Sequence, residues 1–500
     1  MRWTVVLVLL GTAAGVARAG GPNYEKIDGS IATILTRGGS PLIYSGATPS
    51  LGPSRDCRSL NLSNADLREA NLRSANLNYS QMENVDLSNA ELRDASLYSI
   101  NLRNAVLDYS GLQNCDLRGA IMDNTSFFAA DLESADLSYN LLNGVDLRNT
   151  KLMSTNFRDA AFVGANMQSV DLGQVYLERA SFAGGSDLRW SDFTSIAAPD
   201  LNIENSYLYG ATLDQASFAR ASFESLNMTT VSALSVSMPE ASIQNSDITD
   251  GNFWNATLND AEFRNSNMQR INLTYTNLRD AILDGNNLTS ARFNGADLTG
   301  AQLTSTIDSA NVSSATLDGA SLAGVSGYQS TFSDASMIGA NLSLTRLNDS
   351  QFMRVVARNS NFNAAHVRNG IFYNADLRSA NFVSADLTGA NFAGALGAPR
   401  SASFLSLTPL DETLVEATQI DGVDFSDANL SGAIFSNGVI EVTGWAEASW
   451  TGAFFDYRNP AIFPTGMIHT DHGIVVRTPE PATLLLALFG LALVPRRRRR

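Results

Sequence analysis

His469-Thr470-Asp471-His472 places two imidazoles and a carboxylate within four residues, and it is the one cluster among three histidines. Such groups can hold a transition metal or move protons. No further ligand stands at a matching spacing, so the segment reads as the surface of a linker. His366 stands by itself at an outward position. Aspartates offer a second chemistry. Asp66 and Asp86 are twenty residues apart, as are Asp116 and Asp136, and carboxylates brought together in pairs would supply the oxygen ligands that Ca²⁺ prefers. The plainer reading is a solvated face broken up by Asn, Ser and Arg. Cys57 and Cys115 complete the reactive inventory, and they read as two separate core thiols. No catalytic, cofactor-binding or metal-binding residue is assigned.

The frame that must position these groups is a five-residue beat. From Leu62 to Phe392 almost every fifth residue is Leu, Phe, Met or Ile, and a small residue stands two places earlier, as in Ala65-Asp66-Leu67 and Ala70-Asn71-Leu72. Residues five apart on an α-helix lie about 140° apart and share no face. A plain strand needs even spacing. A three-residue extended piece followed by a two-residue corner satisfies the pattern, because the small and the large residue then both point inward. The chain is therefore expected to be a coiled solenoid. Its register gains one residue at Gly184-Gly185 and loses one after Leu303. Ala198, Ala233, Gly327 and Ala357 fill centre slots.

Motifs such as Ala375-Asp376-Leu377, Ala380-Asn381-Phe382 and Ala385-Asp386-Leu387 resemble the pentapeptide-repeat proteins. The resemblance implies an all-β fold, a right-handed four-sided parallel β-helix with four pentapeptides per coil. Phe362 and Phe382, and Phe372 and Phe392, would then stack. The organisation expected is a signal peptide at 1–19, a capping segment at 20–54, the repeat β-helix at 55–394, an irregular loop at 395–419, further repeats and a cap at 420–458, a linker at 459–478 and a sorting signal at 479–500. By this reading the two cysteines lie about three coils apart, roughly 14 Å along the axis. That is beyond the reach of a disulfide.

The ends carry targeting patterns. Met1-Arg2, an apolar run and Ala17-Arg18-Ala19 have the form of a secretory signal, with cleavage expected between Ala19 and Gly20. Pro479-Glu480-Pro481, a 13-residue apolar run and the cluster Arg496, Arg497, Arg498, Arg499 and Arg500 resemble the PEP-CTERM signal of bacterial exosortase systems. That resemblance implies an exosortase-type processing enzyme as a partner and only transient membrane anchoring. An uncleaved C-terminal anchor is the alternative, although the run is short of the roughly 20 residues a span needs.

Removing both signals takes the formal charge from −16 to −22, which disfavours nucleic acid as a partner. The expected function is that of an exported, non-enzymatic structural or interaction protein of the envelope or extracellular matrix, without a cofactor. Exopolysaccharide and other surface proteins are the expected contacts. A DNA-mimic or inhibitor role is one alternative, and a carbohydrate-active β-helix enzyme is another.

Overall fold

The computed structural model describes residues 51–392 and 395, with the backbone of short strands on either side. The chain divides into two compact units, Met1–Ala281 and Ile282–Arg500. Among the described residues every regular element is a strand.

In the first unit, β1 (Asn23–Glu25) runs antiparallel to β2 (Ile31–Thr33) and parallel to β3 (Ser50–Leu51). Regular coils follow. Asp56 bridges to Asn76, Asn76 to Ser96 and Ser96 to Asp116, all in parallel. The step of twenty residues is four pentapeptides, so each coil has four sides. On one side the bridges widen into seven short strands: β4 (Leu141–Asn143), β5 (Ala161–Val163), β6 (Ser181–Ala183), β7 (Asn202–Glu204), β8 (Ser222–Glu224), β9 (Ser242–Gln244) and β10 (Glu262–Arg264). They pair in parallel in chain order.

The second unit repeats the plan. Its longer strands β11 (Ile282–Asn287) and β12 (Gln302–Thr306) pair in parallel with a register shift. Twenty-residue bridging resumes from Thr306 to Asn391. Beyond the regular coils, β13 (Thr418–Gln419) pairs with β14 (Val442–Thr443), and β15 (Phe454–Asp456) with β16 (Val475–Arg477), again in parallel.

Each side of a coil is built the same way. The Leu67 N–H donates to Asp86 O of the next coil at 2.6 Å, and the Asp86 N–H donates back to Ala65 O at 2.8 Å. At the corner the Ala65 N–H donates to Leu62 O at 3.0 Å, closing a turn whose third residue, Asn64, has φ of 63°. A positive φ there is the type II signature. It recurs every fifth residue, and Ser, Asn and Asp predominate among the side chains that accept it. A non-glycine residue gives up roughly 1–2 kcal/mol in that conformation. The repeated backbone bonds and buried centres offset it.

Centre residues form columns. Phe162 stacks on Phe182 with ring centroids 4.5 Å apart and planes 6° apart. The predicted pairs Phe362–Phe382 and Phe372–Phe392 stack at 4.6 and 4.8 Å. The narrow centre slots are filled from the neighbouring coils: a Cβ on Gly327 would lie 2.7 Å from Leu347 Cδ2 and 3.0 Å from Ile307 Cγ1. Small slots do more than save space. The hydroxyls of Ser80, Thr125 and Thr155 donate to the centre carbonyls of Cys57, Leu102 and Leu132 in the preceding coil.

Two coils break the count. Ser181 pairs with Asn202 across 21 residues, and Gly184 and Gly185, at φ of 62° and 82°, hold the extra residue at one corner. In the second unit Arg292 pairs with Asn311 across 19 residues. There the corner between Leu303 and Ile307 lacks its positive-φ residue, and the chain runs straight with Leu303, Ser305 and Ile307 inward.

Candidate interaction surface

The outward positions of a coil lie one before the centre and in the corner pair after it. Where the sequence reads Asp-x-Arg, these positions close on each other. Arg118 donates from Nε and Nη2 to the two carboxylate oxygens of Asp116, both at 2.9 Å, and its backbone N–H reaches Oδ1 at 3.2 Å. Arg189 holds Asp187 in the same way at 2.8 and 2.5 Å. At the corners the pairing runs between coils instead. Arg179, Arg220 and Arg270 each grip an aspartate twenty residues earlier with two bonds, Asp159, Asp200 and Asp250 respectively.

The electrostatics follow. The guanidinium bonds of Arg118 and Arg189 hold the Asp116 and Asp187 carboxyls below the usual carboxylate range. Burial pushes Asp376 and Asp386 upward but is outweighed, by Arg378 and Arg358 at the first and by Thr388 and Arg368 at the second. Both carboxyls therefore stay low.

The aspartate columns form as expected, with Asp66 beside Asp86 and Asp116 beside Asp136. The expectation of a solvated face is corrected at the first pair, where Asp66 is 3% and Asp86 6% exposed. Arg68 covers Asp66 with two bonds, and Ser88 Oγ donates to Asp86 Oδ1 at 2.6 Å. Asp136 accepts from Ser138 and Asn156. Among the described residues no group of three His, Cys, Asp or Glu side chains is placed to hold a metal ion.

His366 is exposed, with Nδ1 3.9 Å from Asp386 Oδ2, and Arg368 Nε occupies the same oxygen at 2.5 Å. Cys57 and Cys115 are buried three coils apart. Burial pushes the Cys57 thiol up to about 11 and that of Cys115 to about 12, so neither is a ready nucleophile. Cys115 Sγ donates to Leu92 O at 3.0 Å, the bond that Ser and Thr make in this slot.

Large aromatics at corners are a feature that sequence reasoning missed. Tyr79, Tyr109, Tyr139, Trp190 and Tyr275 have φ between 57° and 62° and are more than half exposed. Several meet an aromatic of the next coil edge to face, as Tyr79 does Tyr98, Tyr109 does Phe128 and Trp190 does Tyr209. The signal was in the sequence as an aromatic two places after a centre, where Ser or Asn is usual.

The repeat geometry agrees with the family comparison. The family described as Pentapeptide repeats matches in eight copies over residues 56–89, 86–124, 130–168, 240–274, 266–305, 309–349 and 358–395, just over half of the chain. The chain belongs to the pentapeptide-repeat family. None of the curated proteins compared with this pentapeptide-repeat protein matches it. Among solved structures it is similar to HetL, a pentapeptide-repeat protein involved in heterocyst differentiation regulation from the cyanobacterium Nostoc sp. strain PCC 7120, at 22% identity and a TM-score of 0.38, over 50% of this chain and 93% of that one. It is also similar to Rfr23 from the cyanobacterium Cyanothece 51142, at 22% identity and a TM-score of 0.19, over 22% and 87% of the two chains.

The candidate processing residues Ala19, Gly20, Pro479, Glu480, Pro481 and Arg496 to Arg500 lie outside the described residues, as do His469 and His472. Among the described residues no helix is long and apolar enough to cross a membrane.

Proposed function

We propose that this pentapeptide-repeat protein is an exported, non-enzymatic scaffold of the bacterial envelope or extracellular matrix, processed at its C-terminus by an exosortase-type enzyme. The observation that carries the non-enzymatic part is the engagement of outward acids by their own neighbours. Asp116, Asp187, Asp159 and Asp200 are each held by two guanidinium bonds along the wall, which occupies carboxylates that general acid–base work would need free. The same pairing weakens the DNA-mimic alternative, because carboxylates clamped by arginine leave the wall with a less regular charge than a phosphate backbone carries. The signal pattern ending at Ala19 and the Pro479-Glu480-Pro481, apolar run and arginine order support export and sorting.

Cell fractionation with terminal mass spectrometry of the native protein tests this reading. The expected result is an extracellular or envelope-bound form that begins at Gly20 and ends near Pro479. A secreted molecule retaining Arg500 would overturn the sorting step. An unprocessed cytoplasmic form would overturn export and return the inhibitor reading to the front. Breakdown of polysaccharide by the purified chain would overturn the non-enzymatic assignment.

A further inference from the structure

Trp190 occupies one of the positive-φ corners of the repeat, and its ring has a seat of its own there. It lies two residues past the centre Leu188 with φ of 62°, a conformation in which a bulky side chain is an outlier. Its ring lies over Gly210, the equivalent corner of the next coil: a Cβ on Gly210 would come within 2.2 Å of Trp190 Cζ3 and 2.3 Å of Cε3. The indole thus rests on bare backbone, and only glycine leaves it that seat. Tyr209 stands perpendicular to it, with centroids 4.8 Å apart and planes at 85°. Trp190 nevertheless remains 51% exposed and Tyr209 36%. Hydrophobic burial therefore accounts for only part of the arrangement, since much of each side chain is left in water.

The polar surroundings are equally fixed. Asp187 bridges to Tyr207 in the neighbouring coil, and Arg189 locks the Asp187 carboxylate with two bonds. A pre-held aromatic face beside planar donor and acceptor groups suits a ligand with one apolar C–H face and a rim of hydroxyls. Aromatic rings recognise such amphipathic partners well, and holding them in advance removes the ordering cost of binding. The net negative charge of the chain, formally −16, disfavours phosphates and uronates.

We infer that Trp190 and Tyr209 form a binding subsite for a pyranose ring of a neutral polysaccharide. This deepens the matrix reading by naming a class of partner. Binding is measured on the purified chain, so its failure and a failure of export are separate results.

The test is affinity electrophoresis of the full chain through native gels containing dextran, a soluble β-1,3-glucan, or alginate. Retardation is expected in at least one of the two neutral glucans and not in alginate. Trp190→Ala should weaken apparent affinity about tenfold, which corresponds to about 1.4 kcal/mol. Trp190→Phe should retain part of it. Gly210→Ala should weaken binding while leaving the tryptophan in place, because the new methyl unseats the ring. Tyr209→Ala serves if Trp190→Ala fails to fold, judged by circular dichroism. Unchanged retardation in the folded Trp190 and Gly210 variants would overturn the assignment, as would free mobility of the parent chain in both glucans. Retardation by alginate alone would overturn it as well.

Discussion

Two coils of this solenoid depart from twenty residues, in opposite directions, and the molecule treats them differently. The 21-residue coil of the first unit keeps all of its corners and stretches one, placing Gly184 and Gly185 both at positive φ. The 19-residue coil of the second unit gives a corner up. Leu303, Ser305 and Ile307 alternate inward along β12 as in an ordinary strand. In both cases the inward small-then-large order survives, as Ser186 with Leu188 and as Ser305 with Ile307. The corner is therefore the adjustable part of a pentapeptide, and the interior is the part that must be conserved in shape.

Cavity-forming changes should break both coils most strongly. Phe182→Ala, which removes a ring stacked on Phe162, is expected to cost roughly 3–5 kcal/mol, and Leu303→Ala roughly 2–5 kcal/mol, in urea denaturation followed by circular dichroism. Equal and near-zero losses would mean that the irregular coils are not packed as the regular ones are.

The two small-slot serines sharpen the contrast. Ser305 Oγ donates to Leu283 O and accepts the Asn286 N–H at 3.0 Å, whereas Ser186 Oγ donates to Ala183 O at 2.8 Å and accepts the Ala165 N–H at 3.2 Å. Alanine at either site should cost about 1–3 kcal/mol by stranding buried backbone groups. The straightened coil should suffer more, because it has no corner with which to readjust.

Glycine replacement should touch only the first coil. A Cβ at Gly184 would meet Val163 Cγ1 at 2.8 Å, while one at Gly185 finds nothing nearer than Tyr207 Cε2 at 4.0 Å. Gly184→Ala is thus expected to lower stability by about 1–2 kcal/mol and Gly185→Ala by about 1 kcal/mol. A stability loss ordered the other way in thermal melts would disprove the assigned corner geometry.

The smallest effect concerns charge just after the stretched corner. Arg189→Met should lower stability only slightly at neutral pH in the same denaturation assay, since the arginine is exposed and its pair is screened by water. The sign is fixed by the lowered Asp187 pKa: the contribution is complete above the ordinary carboxyl value of about 4 and fades as pH falls through the lower folded value. The difference between parent and variant should therefore shrink below about pH 4.

Most of the fold was legible before any coordinate. The centre register from Leu62 to Phe392, the added residue at Gly184-Gly185 and the lost one after Leu303 follow from counting, and the stacking of Phe362 on Phe382 follows from the four sides that the resemblance to pentapeptide-repeat proteins implies. The surface was much less legible. Asp116, one place before a centre, and Asp159, two places after one, hold different slots of the beat, but that Arg118 of its own coil clamps the first and Arg179 of the next coil the second is a matter of side-chain reach that spacing does not state. Burial of Asp66 and Asp86 was missed for a related reason. An outward position in a repeat looks alike everywhere, whatever neighbours happen to cover it.

The sequence by itself determined a solenoid, its register and the inward order of small and large residues, because side-chain volume and strand alternation act within a few residues. It also carries the terminal patterns that motivate export. Tertiary structure decided which residues meet across twenty positions. That includes the carboxylates its arginines hold, the hydroxyls that bond carbonyls of the preceding coil, and the seat that Gly210 leaves for Trp190. Those contacts depend on side chains from successive coils arriving at one point, and no local rule of spacing can encode which of them will fit.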